Sequence, residues 1–159
     1  MSKLLIVSWG VYPLTTGSSI IVNNIVAEFT KDEVVVFGEY SNRTNKNVLP
    51  ENHPTIYYTN PNVNIRGRGQ IHFRWINFFK VVKEIKEIII KENCTKILCV
   101  FPDDFYLFAA YLASKSLNIP LFTWFHNTYL DNYTGYRKLF AQWFQPIIFK
   151  YAVNTFVMN

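Results

Sequence analysis

The sequence contains few of the residues that build metal centres, disulfide frameworks and membrane spans. Its two cysteines, Cys94 and Cys99, have a spacing that matches neither a zinc signature nor a redox pair. We therefore expect two buried thiols in a reducing compartment, no metal site and no metal dependence. The first apolar run covers only residues 4–7, which is far too short for a signal peptide or a membrane span. This predicts a cytoplasmic location.

Glycine is also scarce, with six residues in the chain, and none of them completes a phosphate-binding loop. A dinucleotide fingerprint requires three glycines in the pattern G-x-G-x-x-G, and a P-loop requires G-K-[ST]. The turn after the first apolar segment reads W-G-V-Y-P-L-T-T-G-S-S and contains neither pattern. The sequence therefore argues against hydride transfer and ATP hydrolysis.

Short apolar segments with almost no polar residues alternate with amphipathic segments along the chain. Strands that are buried on both faces of a parallel sheet have this composition. We predict an α/β fold with a Rossmann-like, open and mainly parallel sheet, helices on both faces, and one domain over residues 1–159. The predicted strands are residues 4–7, 34–37, 56–58, 97–100, 121–124 and 155–157.

The charge balance favours anionic partners, because 16 Lys and Arg outnumber 11 Asp and Glu. Ordinary solubilising charge explains the same excess. The irregular segment 41–70 contains Arg66 and Arg68 between glycines, which is too little to predict a nucleic-acid partner. A contact between these arginines and a phosphate-bearing ligand is a smaller hypothesis.

The first candidate site is the turn after the first strand, since ligands of open parallel sheets bind outside the carboxyl ends of the strands. We expect Thr16, Gly17 and Ser18 to bind substrate there. Gly17 would let the backbone approach a ligand, and the N–H groups of the first helical turn suit a phosphate or a sugar hydroxyl. Ser18 or Ser19 would cap the helix. A plain helix cap without binding is the simpler interpretation.

Polar residues follow two further strands at the same expected edge of the sheet. Asp103 and Asp104 open a helix, where negative charge stabilises the helix dipole; hydroxyl binding by Asp103 is the alternative. His126, Asn127 and Thr128 follow the next strand. A histidine at this position can orient a hydroxyl or share a proton near neutral pH, so we predict a catalytic role for His126.

Two amphipathic segments could explain an aromatic content of 18%. Residues 71–92 predict a helix that covers the sheet. Its expected apolar stripe is Ile71, Trp75, Phe78, Phe79, Val82, Ile85 and Ile89.

The second segment, residues 136–151, carries Arg137, Lys138, Trp143 and Lys150 around Pro146, which should kink or break the helix. A basic, aromatic helix of this kind could contact an anionic membrane surface, and core packing is the alternative.

The order of these elements resembles the N-terminal half of GT-B fold glycosyltransferases of the family 4 type. The resemblance covers the whole chain and rests on a Y-P-x-x-x-G turn, a strand ending E-V-V-V-F-G, and the run N-I-P-L-F-T-W-F-H-N. Gly17, Pro120 and His126 match the family pattern. Thr16 and Asn118 replace glycines of that pattern, and the change at Thr16 weakens the expected anion loop.

The resemblance implies transfer of a sugar from a nucleotide-sugar donor to a glycan or lipid-linked acceptor. This half would supply the acceptor-binding wall, with His126 contacting the reacting sugar and no cofactor bound. The donor site and its paired glutamates belong to a C-terminal domain, which we expect as a partner in cis or in trans, so the chain alone should be inactive. Contact with the inner face of a membrane is a further implication.

A different class of function is a stand-alone, non-catalytic α/β module that binds a glycan, a nucleotide or a protein.

Overall fold

The chain folds around a single six-stranded sheet. A computed structural model describes residues 2–14, 16–39, 53–60, 74–101, 103–125 and 134–158. All neighbouring strands pair in parallel, in the order β3-β2-β1-β4-β5-β6. The six predicted strands are confirmed. Their bounds are β1 Lys3–Ser8, β2 Val34–Glu39, β3 Ile56–Thr59, β4 Cys94–Phe101, β5 Leu121–Phe125 and β6 Asn154–Val157.

Helices cover both faces of this sheet, as predicted. The helices are α1 Gly17–Val26, α2 Phe78–Lys91, α3 Asp104–Leu117 and α4 Gly135–Tyr151, and a 3-10 turn, Arg74–Asn77, precedes α2. α1 packs on one face, whereas α2, α3 and α4 pack on the other. The two cores alternate along β1: Leu5 and Val7 face the three helices, and Leu4 and Ile6 face α1.

The strand order reverses between β1 and β4, which places a crevice at the carboxyl ends of these two strands. From β1 the chain winds outward through β2 to β3, and it then returns to β4 on the other side of β1. Val7 of β1 aligns with Cys99 of β4, and Ser8 aligns with Val100. Ligands of doubly wound sheets bind in such a crevice.

Both cysteines lie in β4 as free, buried thiols, which confirms that prediction. Burial raises the pKa of the Cys94 thiol to about 11 and raises that of Cys99 further. Neither side chain is therefore a thiolate at neutral pH.

The prediction that all strands are buried on both faces is wrong for β5 and β6. Phe122 and Trp124 of β5 are only half-buried, and Phe156 of β6, whose ring centre lies 5.7 Å from that of Trp124 on the same face, is 41% exposed. Among the described helices, α1 alone lies on this face, and it packs over β1, β2 and β4. The β5–β6 part of the face is left without a helical cover in the described residues.

The apolar stripe predicted for α2 is partly wrong. Its buried residues include Val81 and Ile88, whereas Phe79, which was expected in the stripe, is 77% exposed. Apolar residues lie on both flanks of the stripe, and the flank that carries Val81 and Ile88 is the one that faces the core. Residues 71–73 lie outside the described part of the chain.

The break predicted at Pro146 does not occur, because α4 continues through this residue to Tyr151. Pro146 is exposed on the solvent side, and so is Gln142, whose carbonyl loses its helical donor to the proline. Water can serve that carbonyl instead. The opposite side of α4 buries Ala141, Phe144 and Ile148 against the core.

Candidate functional site

The N-terminus of α1 lies directly after β1, at the crevice edge of the sheet. Thr16 is the N-cap, and its hydroxyl oxygen accepts a hydrogen bond from the Ser19 N–H at 3.4 Å. The Ser19 hydroxyl donates to the Thr16 carbonyl at 2.8 Å. The expectation that Ser18 or Ser19 caps the helix is therefore wrong. The backbone N–H groups of Gly17 and Ser18 precede the first intrahelical bond and have no acceptor within the helix.

Glycines hold the loop after β1 tightly against its neighbours. A Cβ on Gly10 would lie 2.7 Å from the Thr16 hydroxyl, and one on Gly38 of β2 would lie 2.4 Å from the Val11 side chain. A Cβ on Gly17 would meet no atom within 4 Å. The fold therefore requires glycine at positions 10 and 38 but leaves open space at Gly17, where a ligand could approach.

Asp103 caps α3 at the carboxyl end of β4. Its Oδ1 atom accepts hydrogen bonds from the Phe105 N–H at 2.9 Å and from Nη2 of Arg74 at 2.8 Å. Burial raises the pKa of Asp103, although the positive charge of Arg74 acts in the opposite direction. Capping, the simpler of the two sequence interpretations, is confirmed, and hydroxyl binding by Asp103 stays a prediction.

Asp104 extends this cap into a buried cluster of charges, the Arg–Asp cluster, which consists of Arg74, Asp103, Asp104 and Arg137. Nη2 of Arg137 donates to Oδ1 of Asp104 at 2.9 Å, and Nη2 of Arg74 lies 3.9 Å from the same oxygen. The guanidinium of Arg74 stacks on the ring of Phe105 at 4.8 Å. Arg74 is 4% exposed.

A cavity of about 190 Å³ opens beside the Arg–Asp cluster. In a parallel α/β sheet the helices run against the strands, so the N-termini of α3 and α4 lie at the crevice edge. The cavity is lined by Arg74, Trp75, Asp104, Tyr136, Arg137 and Phe140. Charged groups together with aromatic rings give it the character of a binding pocket.

Two further polar groups occupy the crevice edge. The Tyr106 hydroxyl of α3 donates to Oε2 of Glu39 at 3.0 Å, which links α3 to the end of β2. Burial and the carboxylate of Glu39 raise the pKa of Tyr106 well above its ordinary value, so the phenol stays protonated. The Ser8 hydroxyl at the end of β1 is buried and has no hydrogen-bond partner among the described residues.

Several predicted site residues lie outside the described part of the chain. These are His126, Asn127 and Thr128 after β5, and Arg66 and Arg68 in the segment 61–73. Their predicted roles in catalysis and binding stay predictions.

The predicted membrane-contact residues divide between two environments. Arg137 is engaged by Asp104 in the Arg–Asp cluster. Lys138, Trp143 and Lys150 are exposed on α4, and Trp143 is 58% exposed. In the part of the chain that the structure describes, no helix is both long enough and apolar enough to cross a membrane.

The sequence did not identify Arg74 or the cavity. Arg74 stands at the start of an apolar segment, next to Trp75, and this position is the one sequence signal for a buried charge. Arg137 was assigned to a membrane surface because its acidic partner lies 33 residues away in the chain.

Solved structures of sugar-nucleotide enzymes share this fold. MurG from Acinetobacter baumannii matches with a TM-score of 0.63 and 13% identity over 99% of this chain and 41% of that chain. UDP-GlcNAc 2-epimerase from Methanocaldococcus jannaschii matches with a TM-score of 0.59 and 14% identity over 100% of this chain and 40% of that chain. The lipopolysaccharide outer core galactosyltransferase WaaB matches with a TM-score of 0.60 and 16% identity over 96% of this chain and 38% of that chain.

Identities this low show the fold alone. It is the Rossmann-like α/β architecture of one half of a GT-B fold, as predicted. The chain spans about two fifths of the length of these structures. No protein-family model and no curated protein matches the sequence, so membership of family 4 stays a prediction.

Proposed function

We propose that this chain is the acceptor-binding half of a glycosyltransferase that moves a sugar from a nucleotide-sugar donor to a glycan or lipid-linked acceptor. The observation that carries the proposal is the polar, aromatic cavity at the crevice edge of a half-fold shared with a galactosyltransferase. Ligands of open parallel sheets bind at this edge. The donor itself would be held by a second domain, in cis or in trans, and this half would bind no cofactor.

The chemistry explains why one half would be insufficient. Sugar transfer requires donor and acceptor to be held together with water excluded, so two walls must enclose the reacting groups. We assign Thr16, Gly17 and Ser18 to the acceptor wall, together with Asp103, Asn127 and Thr128. His126 would contact the reacting sugar.

We also propose that the protein works at the inner face of a membrane, through peripheral contact. The support is that Lys138, Leu139 and Trp143 of α4 are all exposed. A lipid-linked acceptor would then be presented next to the cavity.

Two other functions are alternatives, and the experiment described below gives a different result for each. A sugar-nucleotide epimerase is the second candidate, because two UDP-GlcNAc 2-epimerases match as well as the galactosyltransferase does, with TM-scores of 0.59 and 0.60. A non-catalytic binding module is the third.

The test compares this chain with the product of the complete reading frame that encodes it. Both are incubated with UDP-glucose, UDP-galactose, UDP-GlcNAc and GDP-mannose, with and without a glycolipid extract of the source cells, and nucleotide release is measured. We expect acceptor-dependent release by the complete product and none by the chain alone. Isomerisation of the donor in the absence of acceptor would identify an epimerase. No turnover by either protein would indicate a non-catalytic binding module.

The variant Gly17→Ala tests whether substrate binds at the N-terminus of α1. Asn24→Ala on the exposed side of the same helix is the matched control. A methyl group at Gly17 has open space in the chain itself, so the fold should be kept. If substrate approaches the helix N-terminus, the methyl group should lower acceptor-dependent release about tenfold or more. Equal activity of both variants would remove Gly17 from the site.

A further inference from the structure

Arg74 leaves one hydrogen-bond donor unused at the wall of the cavity. Its Nε atom is buried and has no hydrogen-bond partner among the described residues, although Nη2 is bonded to Asp103. An unsatisfied buried donor is unfavourable, and more so when the group is charged. Because Nε is buried, a ligand oxygen in the cavity reaches this N–H after a small rotation of the Arg74 side chain, which lines the cavity, and it would then satisfy the donor.

Asp103 does not line the cavity, but its ion pair with Arg74 neutralises one of the two arginines that do, so the charge of the Arg–Asp cluster favours a neutral ligand. The Arg–Asp cluster contains two guanidinium groups and two carboxyl groups, so its charges balance when both are ionised. A phosphate or carboxylate would lie against Asp104, and a cation would lie against Arg74 and Arg137. A hydroxyl group avoids both penalties, because it can accept from Arg74 and donate to Asp104.

The aromatic side of the cavity suits the C–H face of a sugar ring. Trp75 and Phe140 meet edge to face with their ring centres 5.9 Å apart, and Tyr136 at the start of α4 is 62% exposed. The negative face of an aromatic ring attracts the polarised C–H groups of a pyranose. The aromatic side chains thus match the apolar face of a pyranose, and the charged hydrogen-bonding groups match its hydroxyls.

The size of the cavity limits the ligand to one ring. Its volume of about 190 Å³ equals the share of about six water molecules in the liquid. Pockets that enclose a whole drug-sized ligand measure roughly 300–1,000 Å³. The cavity therefore fits one group of a larger molecule, with the remainder outside.

We propose that the cavity between Trp75, Tyr136 and the Arg–Asp cluster is a subsite for one neutral pyranose ring. A hydroxyl of the ring accepts the Nε–H of Arg74 and another donates to Asp104. The assignment of this ring to the acceptor rests on the proposed function, whereas sugar binding by the cavity does not.

The test is ligand-observed NMR titration of the chain with the methyl glycosides of glucose, galactose, mannose, fucose and N-acetylglucosamine. We expect at least one to bind with a Kd on the order of 1 mM, as a single ring with few contacts should. Tyr136→Ala should weaken binding about fivefold to tenfold, and Tyr136→Phe should keep it. Trp143→Ala is the matched control, since it removes an exposed ring of the same helix that does not line the cavity.

Any of three results would overturn the subsite. The first is no glycoside binding at 50 mM, which is about 50 times that Kd. The second is an equal loss of glycoside affinity in Tyr136→Ala and Trp143→Ala, and the third is displacement of the sugar by inorganic phosphate. Thermal unfolding of each variant separates lost binding from lost folding. Sugar binding without transfer by the complete gene product would reject the proposed function and keep the subsite. Transfer whose acceptor KM is unchanged in Tyr136→Ala would reject the assignment of the bound ring to the acceptor and keep the proposed function.

Discussion

Arg74 is the residue on which the charge balance of the candidate site depends. It is buried, it donates to Asp103, and it lies near Asp104. Burial already raises the pKa of Asp103, and the Arg74 charge is the main opposing effect. Without that charge, two neighbouring carboxylates would be buried together, and Arg137 would be the remaining cation partner of Asp104 among the described residues.

We predict that Arg74→Met lowers the free energy of unfolding by about 3–5 kcal/mol at pH 7, the usual cost of breaking a buried ion pair. The native pKa of Asp103 rises further in this variant, so the native state binds more protons than the unfolded state between about pH 4 and that pKa. Stability therefore falls as the pH rises through this window. The deficit should be smaller at pH 4.5 than at pH 7.

Urea unfolding at both pH values measures this effect. Lys83→Met is the matched control, because Lys83 is exposed and pairs only with Glu87 on the surface of α2. It should change the stability by less than about 0.5 kcal/mol at either pH. A deficit in Arg74→Met that is the same at pH 4.5 and pH 7 would contradict the role assigned to Asp103.

Sequence reasoning at the residue scale identified the ends of strands but not the partners of side chains. Asp103 and Thr16 were correctly placed at helix starts, because their position after apolar strands is visible in the sequence. The cap was nevertheless assigned to Ser18 or Ser19, since hydroxyl residues on both sides of Gly17 offer similar capping chemistry. The pairing of Asp104 with Arg137 joins two helices, and no local pattern predicts it.

At the scale of elements, a small polar cluster ties β1, β3 and the end of α2 together. Nζ of Lys3 donates to Oε2 of Glu92 at 2.6 Å, and the Tyr57 hydroxyl donates to Oε1 of Glu92. The hydrogen bond from Lys3, and then that from Tyr57, lowers the pKa of Glu92. The same bond raises the pKa of Lys3.

We predict that Glu92→Gln lowers the free energy of unfolding at pH 7 by about 1 kcal/mol or less, because both side chains are partly exposed to solvent. The depressed pKa of Glu92 means that its contribution is present above about pH 4.5 and is lost as the pH falls through the native pKa. The raised pKa of Lys3 means that the contribution is also lost above about pH 10.5. Wild type and variant should therefore converge at both extremes.

Chemical unfolding between about pH 3 and about pH 12, which extends beyond the ordinary pKa values of both groups, measures this difference, and Glu87→Gln on the exposed side of α2 is the control. A difference that stays constant down to pH 3 would show that Glu92 acts by packing and not by its charge.

Sequence reasoning at this scale gave the right strands and the wrong helical details. The strands could be predicted because apolar runs bounded by polar turns are local. Apolar residues lie on both flanks of the α2 stripe, so only tertiary packing decides that Val81 is buried and Phe79 is exposed. The continuity of α4 through Pro146 depends on which side of the helix faces solvent, and this follows only from tertiary packing.

At the scale of the whole molecule, the two faces of the sheet are covered unequally. α2, α3 and α4 enclose one face, while exposed Phe156 lies on the other face of β6, at the edge of the sheet. Apolar residues of this kind on a sheet edge are usually covered by other parts of a protein. This surface is consistent with the proposed need for a second domain.

A separate apolar surface lies at the crevice side of α2 and α4, and we name it the aromatic patch. It consists of Ile76, Phe79, Tyr136, Leu139 and Trp143, all of which are more than half exposed. The ring of Phe140 connects its two helices, since it lies 5.9 Å from Trp75 and 5.7 Å from Trp143. Lys80, Lys83 and Lys138 are exposed on the same two helices.

We predict that the protein floats with vesicles that contain anionic phosphatidylglycerol and much less with neutral phosphatidylcholine vesicles. Each lysine near an anionic surface contributes about 1 kcal/mol, so Lys138→Gln should weaken binding about fivefold, and high salt should weaken it for wild type. Trp143→Ala should weaken binding at every salt concentration, because it removes an apolar contact.

The control is Ile20→Ala on α1, an exposed apolar residue on the other face of the sheet. If Ile20→Ala and Trp143→Ala reduced flotation equally, the aromatic patch would not be the membrane surface, and its exposed rings would have to serve contact with another protein domain.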